Sequence, residues 1–218
     1  MYAPDPRKVQ VCDVGKRMYE KNLVVANDGN ISWRVGDNEI LITPSRVCKA
    51  DMTPEMILTV NMSGDLVAGQ GVISTELQMH LAVYHSDPKI TAVVHAHPFH
   101  ATAFAVAGIP LDRLIYPTGF SFLGNVPVAP YGTSTTNELA ESVVVMLQEG
   151  HRAVLLANHG ALTCAASLWD AYYLMERLEN YAGICFAAKQ LGGGRELSND
   201  EADRLREKIR RQKAAGLL

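Results

Sequence analysis

Two histidines, His95 and His97, stand one residue apart at the end of an apolar run that begins at Ala92. On a β-strand successive side chains point to opposite faces, so these two share one face with Cα atoms roughly 6.5 to 7 Å apart. Two imidazoles held in this way can bind one metal ion. A catalytic zinc site commonly has three protein ligands and an open position for water or substrate. The pattern therefore predicts part of a metal site that needs one more ligand.

A third histidine, His159, follows the apolar run Ala153–Ala157 within the triplet Asn-His-Gly. This run predicts a strand buried on both faces, and ligands commonly bind beyond the ends of strands in open sheets. His95, His97 and His159 would together make an open site for Zn²⁺, with Mn²⁺ or another divalent metal as alternatives. A lone histidine is more often a hydrogen-bonded structural residue, but the combination of the two motifs favours a metal site.

A candidate acid or base, Glu76, lies at the predicted start of a helix for which Ser74 and Thr75 are the expected cap. A carboxylate there interacts favourably with the helix dipole, so spacing alone indicates a capping group. Glu76 and His80 are four residues apart and could also form a metal-binding pair. The sequence lacks the His-Glu-x-x-His motif of zinc proteases, however, so we expect His80 to support the core.

Small donors that suit an anion occur in three places: the turn Asp28-Gly-Asn30, Ser45 and the pair Ser74-Thr75. Hydroxyl groups and backbone N–H groups of this kind hold phosphates. Neither the phosphate-binding loop of nucleotide hydrolases nor the glycine motif of dinucleotide-binding domains is present. Individually these residues are typical of turns and caps.

Strands mixed with helices predict an α/β fold with a sheet covered on both sides. After the hairpin of residues 31–43 we expect short strands near 57–60 and 66–67, and an irregular segment over 109–124. Helices are expected over residues 5–23, 74–86, 99–107, 136–147, 167–191 and 198–215.

The composition indicates one domain over residues 1–218, with residues 195–218 as a C-terminal helical tail. The net charge of −3 gives no electrostatic reason to expect a nucleic acid or an anionic membrane as partner. No apolar run approaches the ~20 residues that span a bilayer. The first eight residues do not resemble a secretory signal, so we expect a cytoplasmic protein. Its four scattered cysteines predict neither a disulfide framework nor a zinc site.

Six motifs in this order resemble the class II sugar-phosphate aldolase family, which includes L-fuculose-1-phosphate aldolase, L-ribulose-5-phosphate 4-epimerase and the adducin head domain. The resemblance covers about residues 8 to 190. Each motif alone is weak, but the ordered set is specific. The motifs are Asp28-Gly-Asn-Ile-Ser32, Thr43-Pro-Ser45, Ser74-Thr-Glu76, Val94-His-Ala-His-Pro-Phe-His100, Ala129-Pro-Tyr131 and Ala157-Asn-His-Gly160.

The resemblance implies a three-layer αβα sandwich around a mixed, mostly antiparallel sheet, and a homotetramer with sites at subunit interfaces. It implies zinc on the three histidines, Glu76 as catalytic acid/base, and Tyr116 as the residue that transfers a proton between solvent and the oxygen of the aldehyde. The reaction would cleave a small ketose 1-phosphate to dihydroxyacetone phosphate and an aldehyde, through an enediolate that the metal stabilises. The residues implied for binding the substrate phosphate are Asn27, Gly29, Asn30, Ser45, Ser74 and Thr75; Arg46, which is not part of the family pattern, is a further candidate for binding the substrate anion.

Because of two departures from the family pattern, the sequence does not decide the identity of the substrate. Arg46 replaces a glycine, and a side chain at that position disfavours a positive φ, although a guanidinium can bind an anion directly. The final charged helix is also unlike the tails of the aldolases. A decarboxylase of a keto sugar acid needs the same metal chemistry and suits Arg46, while an epimerase is disfavoured because those members have aspartate in place of Glu76. The intact histidines argue against a non-catalytic module like the adducin head.

Overall fold

The computed structural model describes residues 3–216, so the ends of the domain expected over 1–218 (residues 1–2 and 217–218) lie outside the described residues. Eight strands form a single sheet in this part of the chain. They are β1 (Asn30–Gly36), β2 (Glu39–Ile42), β3 (Leu58–Val60), β4 (Leu66–Ala68), β5 (Ala92–Ala96), β6 (Val128–Ala129), β7 (Ala153–Leu156) and β8 (Gly160–Ala165).

Seven α-helices accompany the sheet within residues 3–216, together with one short 3₁₀ turn over Pro54–Met56. The helices are α1 (Pro6–Glu20), α2 (Leu77–Ser86), α3 (Phe99–Ala107), α4 (Pro117–Leu123), α5 (Asn137–Gln148), α6 (Leu168–Gln190) and α7 (Asn199–Ala214).

The strand order is β4-β3-β2-β1-β5-β8-β7-β6. Every neighbouring pair is antiparallel except β6 and β7, which are parallel. The prediction of a mixed, mostly antiparallel sheet is therefore confirmed.

Helices cover both faces of the sheet because its strands alternate their side chains between two cores. On β5, Val94 packs in the core that contains residues of α1, α3, α4 and α6, whereas Val93 packs in the core formed with α2 and α5. On β7, Leu155 and Val154 are divided in the same way. The expected three-layer αβα sandwich is thus confirmed.

Two elements were not expected from the sequence. β8 lies between β5 and β7, because Asn158 adopts φ +57° and turns the chain into a hairpin directly after β7. The predicted irregular segment over 109–124 is also wrong in part, since it contains α4. Pro117 starts this helix, and Gly119 fits against the ring of Tyr181 in α6, a contact that a local pattern does not report.

The helix α7 begins with the expected capping box: the Glu201 carboxylate accepts from Ser198 N at 2.8 Å, and Ser198 Oγ accepts from Glu201 N at 3.4 Å. Its buried face is small, with Ala202 the one buried apolar residue of the helix among those described. Neither α7 nor any other helix in residues 3–216 has the length and apolar character to cross a membrane.

Candidate metal centre and active site

The three histidines converge because β5 and the β7–β8 hairpin are neighbours in the sheet. His95 lies on β5 opposite Leu162 of β8, and His97 follows two residues later. His159 occupies the turn between β7 and β8, so pairing of β8 with β5 brings it beside the other two. The ligand atoms of the three side chains all lie within 4.8 Å of one another. The structure therefore brings together the predicted metal residues.

The separations within this cluster match a four-coordinate metal site. His95 Nε2 lies 3.2 Å from His97 Nε2. Glu76 adds a carboxylate, with Oε2 3.2 Å from His95 Nε2 and Oε1 3.3 Å from His159 Nε2. Two ligands at about 2.0 to 2.1 Å from a tetrahedral ion are about 3.3 to 3.4 Å apart. The cluster thus has the dimensions that a small divalent cation requires.

The protonation of His95 supports the same assignment. Burial lowers the pKa of His95 to about 3, so the ring is neutral at pH 7. Its Nδ1 donates to the carbonyl oxygen of Ala161 at 2.9 Å, which leaves a lone pair on Nε2. This lone pair faces a carboxylate oxygen, and two acceptors at 3.2 Å repel each other unless a cation lies between them. The donor set therefore fits a divalent metal.

Glu76 reaches the cluster from the position directly before α2. Glu76 itself is the N-cap of that helix, without a side-chain capping bond, so the expected cap position at Ser74 and Thr75 is wrong; Ser74 Oγ nevertheless accepts from Glu76 N at 3.3 Å, directly before the helix. Its Oε2 instead accepts a hydrogen bond of 2.7 Å from Asn30 Nδ2. Burial would raise the pKa of Glu76, but the positive charge that His95 and His159 carry when protonated, together with the Asn30 hydrogen bond, holds this pKa below its usual value. The carboxylate is therefore ionised at neutral pH.

Two glycines permit the close packing around the histidines. Gly29 has φ +72°, and a Cβ there would lie 2.8 Å from the carbonyl oxygen of His95. A Cβ on Gly160 would lie 2.5 Å from Cδ2 of His97 and 2.6 Å from the carbonyl oxygen of Ala96. Real Cβ atoms essentially never approach other heavy atoms this closely, so both positions require glycine.

The predicted anion-binding residues lie on three segments that the fold ties together. The turn of Asn27 and Gly29 leads into β1, where Asn30 pairs with His95. Ser45 N donates to the carbonyl oxygen of Val72 at 2.8 Å, which joins the second segment to the chain that enters Ser74, Thr75 and Glu76. Asn27, Arg46 and Thr75 are exposed, whereas Ser74 is buried and Ser45 is half-buried.

Arg46 occupies the backbone conformation that a glycine would adopt, with φ +62°. The loop backbone thus keeps its left-handed conformation although arginine replaces the family's glycine. This conformation costs conformational energy for a residue with a side chain. It adds an exposed guanidinium beside Ser45.

Lys49 is a further residue of this region, and no sequence pattern singles it out. Its side chain is fully buried, and Nζ donates to the carbonyl oxygens of Asn27 at 3.1 Å and Val47 at 2.9 Å. Burial lowers the pKa of Lys49 to about 8. A single lysine in a polar loop is ordinarily exposed. Only the tertiary structure shows that it joins two of the three segments.

Tyr116 does not join the cluster of its own chain. It is the N-cap of α4, and its ring lies 6.1 Å from that of Tyr181 between centroids. Within residues 3–216, no hydrogen bond or ring contact connects Tyr116 to Glu76 or to the three histidines.

Comparison with known proteins decides the family, because the class II aldolase and adducin N-terminal domain matches residues 9–186. The chain belongs to the class II aldolase family. A 5-deoxy-D-ribulose 1-phosphate aldolase from Bacillus thuringiensis is 32% identical over 201 residues, covering 92% of this chain and 93% of that protein. A 3-oxo-tetronate 4-phosphate decarboxylase from Escherichia coli is 30% identical, over 79% of this chain and 82% of that protein.

The fold of this class II aldolase is also found in solved structures. An L-fuculose 1-phosphate aldolase superposes with a TM-score of 0.86 at 33% identity, over 95% of this chain and 98% of the other. The match confirms the expected family and fold and makes the protein an aldolase-type enzyme. These relatives differ in the substrate that they are named for and in the reaction, which is an aldol cleavage for two of them and a decarboxylation for the third.

Proposed function

We propose that this class II aldolase cleaves a small ketose 1-phosphate, similar to L-fuculose 1-phosphate, to dihydroxyacetone phosphate and an aldehyde. The observation that carries the proposal is the convergence of three imidazoles, whose ligand atoms lie within 4.8 Å of one another, and of the Glu76 carboxylate, which lies 3.2 Å from His95 and 3.3 Å from His159. Beside it lie the polar residues of the three joined segments. A cation and a proton-transfer group next to an anion-binding region suit cleavage of a bond beside a carbonyl.

We assign the divalent ion, Zn²⁺ or alternatively Mn²⁺, to His95, His97 and His159. Such an ion is a Lewis acid that stabilises the negative charge left on the substrate when the C3–C4 bond breaks. Glu76 is the acid/base group, because its ionised carboxylate can take a proton from C3 of dihydroxyacetone phosphate in the reverse reaction and return it there after cleavage. The buried position of His95 excludes water from one side of the site.

The substrate anion binds, in this proposal, at the three joined segments. The candidate donors are backbone N–H groups, side-chain amides and hydroxyls of Asn27, Gly29 and Asn30, of Ser45, and of Ser74 and Thr75. Arg46 supplies an exposed positive charge at the rim. Dianionic phosphate is favoured by such a set of donors together with a cation.

Tyr116 requires a second subunit if it is to take the proton from the C4 hydroxyl as the aldehyde forms, and to return it to the aldehyde oxygen in the reverse reaction, because its contacts lie at Tyr181 and not at the metal residues of its own chain. We therefore propose that sites are shared between subunits of a homotetramer. An apolar surface supports association: Phe99 is 74% exposed, Val106 56% and Phe186 43%, on α3 and α6. Light scattering on a gel-filtration column tests this, and a monomeric but active protein would contradict it.

The one-domain organisation over 1–218, with 195–218 as a helical tail, is proposed together with a cytoplasmic location and a role in carbohydrate metabolism. The single continuous sheet supports one domain. Four free cysteines suit a reducing compartment. Limited proteolysis tests the domain proposal, since we expect early cleavage only near residue 195, where the chain leaves α6.

A metal-dependent decarboxylase of a keto sugar acid phosphate is the second candidate. The exposed guanidinium of Arg46 favours it, because a carboxylate on the substrate would gain a bidentate partner. Its chemistry needs the same cation and differs in the leaving group. An epimerase is less favoured, because the epimerase members of the family have aspartate in place of Glu76. A non-catalytic module conflicts with an intact set of metal residues.

Product analysis separates these candidates. The protein is stripped with chelator, reloaded with zinc or manganese, and incubated with ketose 1-phosphates and with 3-oxo acid phosphates. Aldehyde with dihydroxyacetone phosphate supports the aldolase. Release of carbon dioxide without aldehyde would establish the decarboxylase instead.

The role of Glu76 is tested by Glu76→Gln. We expect metal to remain bound, because the three histidines are unchanged, and turnover to fall by at least about 100-fold with the loss of the proton-transfer group. Glu141→Gln on the exposed face of α5 is a matched control that should keep full activity. Retained turnover in Glu76→Gln would remove this residue from the mechanism.

A further inference from the structure

A continuous chain of buried hydrogen bonds leads from the interior to Glu76. The hydroxyl groups of Tyr84 and Ser32 lie 2.6 Å apart, and Ser32 Oγ lies 2.6 Å from His80 Nδ1. His80 Nε2 is 2.5 Å from Asn30 Oδ1, and Asn30 Nδ2 is 2.7 Å from Glu76 Oε2. The chain runs between β1 and α2, and the side chains of Ser32 and His80 are fully buried.

The donor and the acceptor of each hydrogen bond in this chain follow from the Glu76 end. The ionised Glu76 only accepts, so Asn30 must present its amide nitrogen to Glu76 and its oxygen to His80. His80 must therefore donate from Nε2. A neutral imidazole then accepts at Nδ1, so Ser32 donates to His80 and itself accepts from Tyr84.

We propose that His80 is a positioning residue for catalysis that acts on Glu76 through Asn30. The hydrogen bond from Asn30 holds Oε2 of the Glu76 carboxylate, and Oε1 is then available for proton transfer. This rests on the proposed acid/base role of Glu76. The Asn30 amide has a second N–H, which points to no partner among the described residues and is available to the substrate anion. His80 thereby orients both an acid/base group and one contact of the anion site.

Loss of the His80 donor should release the amide. In His80→Leu, Asn30 Oδ1 has no buried donor, and a flip of the amide would turn its oxygen toward the Glu76 carboxylate. A misplacement of about 1 Å at a reacting group costs about 100-fold in rate. In His80→Gln, the side-chain amide carries an N–H near the place of Nε2 and can restore the bond to Asn30.

The test compares kcat, KM and metal content of the zinc-loaded protein. We expect kcat to fall about 10- to 100-fold in His80→Leu with metal content unchanged, and to recover by at least half on a logarithmic scale in His80→Gln. In a Glu76→Gln background, His80→Leu should lower the residual kcat by less than about twofold. Thr163→Val, which removes a buried hydroxyl bond to the Ala171 carbonyl on the other side of the sheet, is the stability-matched control.

The tautomer of His80 gives a second readout that needs no activity. Nitrogen-15 NMR of the zinc-loaded protein should show His80 protonated at Nε2 only, between pH 6 and 8. Protonation at Nδ1 would overturn the chain, as would equal losses in His80→Leu and His80→Gln or loss of metal in parallel with kcat. If Glu76→Gln keeps turnover while the tautomer is as expected, the assignment of Glu76 fails but the hydrogen-bond chain stands.

Discussion

Gly160→Ala should damage the metal centre without removing any ligand. The added Cβ would lie 2.5 Å from His97 Cδ2 and 2.6 Å from the Ala96 carbonyl oxygen, against an ordinary contact of at least 3.4 Å. Removing the clash with His97 Cδ2 therefore needs a displacement of about 0.9 Å. Because the Ala96 carbonyl oxygen belongs to the backbone and is held in place, the His97 ring is the group that moves. Metal–ligand distances tolerate only about 0.2 Å. We expect the metal dissociation constant to rise at least about tenfold.

The same variant should lose stability in two separable parts. Overpacking costs about 1 to 3 kcal/mol, which corresponds to a fall in Tm of about 2 to 12 °C for a chain of this size. At a fixed excess of zinc, a tenfold weaker site stabilises the fold by about 1.4 kcal/mol less. Thermal denaturation with chelator measures the first part. The difference between scans with zinc and with chelator measures the second, and titration calorimetry gives the affinity directly.

Gly36→Ala is the matched control, because a Cβ there meets only Glu39 at 3.5 Å or more in the β1–β2 hairpin. It should change neither the zinc affinity nor the zinc-dependent part of Tm. Wild-type zinc affinity in Gly160→Ala would refute the argument that His97 is held against this glycine in the metal centre.

Three further outcomes follow from the structure. Gly29→Ala should lower Tm and weaken substrate binding, because φ +72° and a Cβ 2.8 Å from the His95 carbonyl oxygen both oppose a side chain; calorimetry and KM measure this. Lys49→Met should raise KM for the phosphorylated substrate with metal content unchanged, since two loop carbonyls lose their shared donor; an unchanged KM would contradict that role. The metal-free protein should lose about 2 kcal/mol between pH 7 and 5 through His80. Its pKa is about 4 when folded and about 6.5 when unfolded, so only the unfolded state takes up the proton in that window, and urea unfolding of His80→Gln should lack this loss.

The sequence by itself determined the family, the fold class and the histidines that come together. His95 and His97 share a face because strand geometry fixes the direction of residues two apart. The apolar run before His159 fixed its place at a strand end, and the ordered motifs set the family. These are local properties, so short patterns report them.

Only the tertiary structure decided which distant residues meet. Asn30 and Glu76 are 46 residues apart, and His95 and Ala161 are 66 apart. Their contacts depend on the sheet order that puts β8 between β5 and β7, and β1 beside β5. Spacing alone favoured a helix cap for Glu76 and a core role for His80, since each lies on a helix where those roles are common. Packing α2 against β1 turned both toward Asn30, which no local pattern encodes.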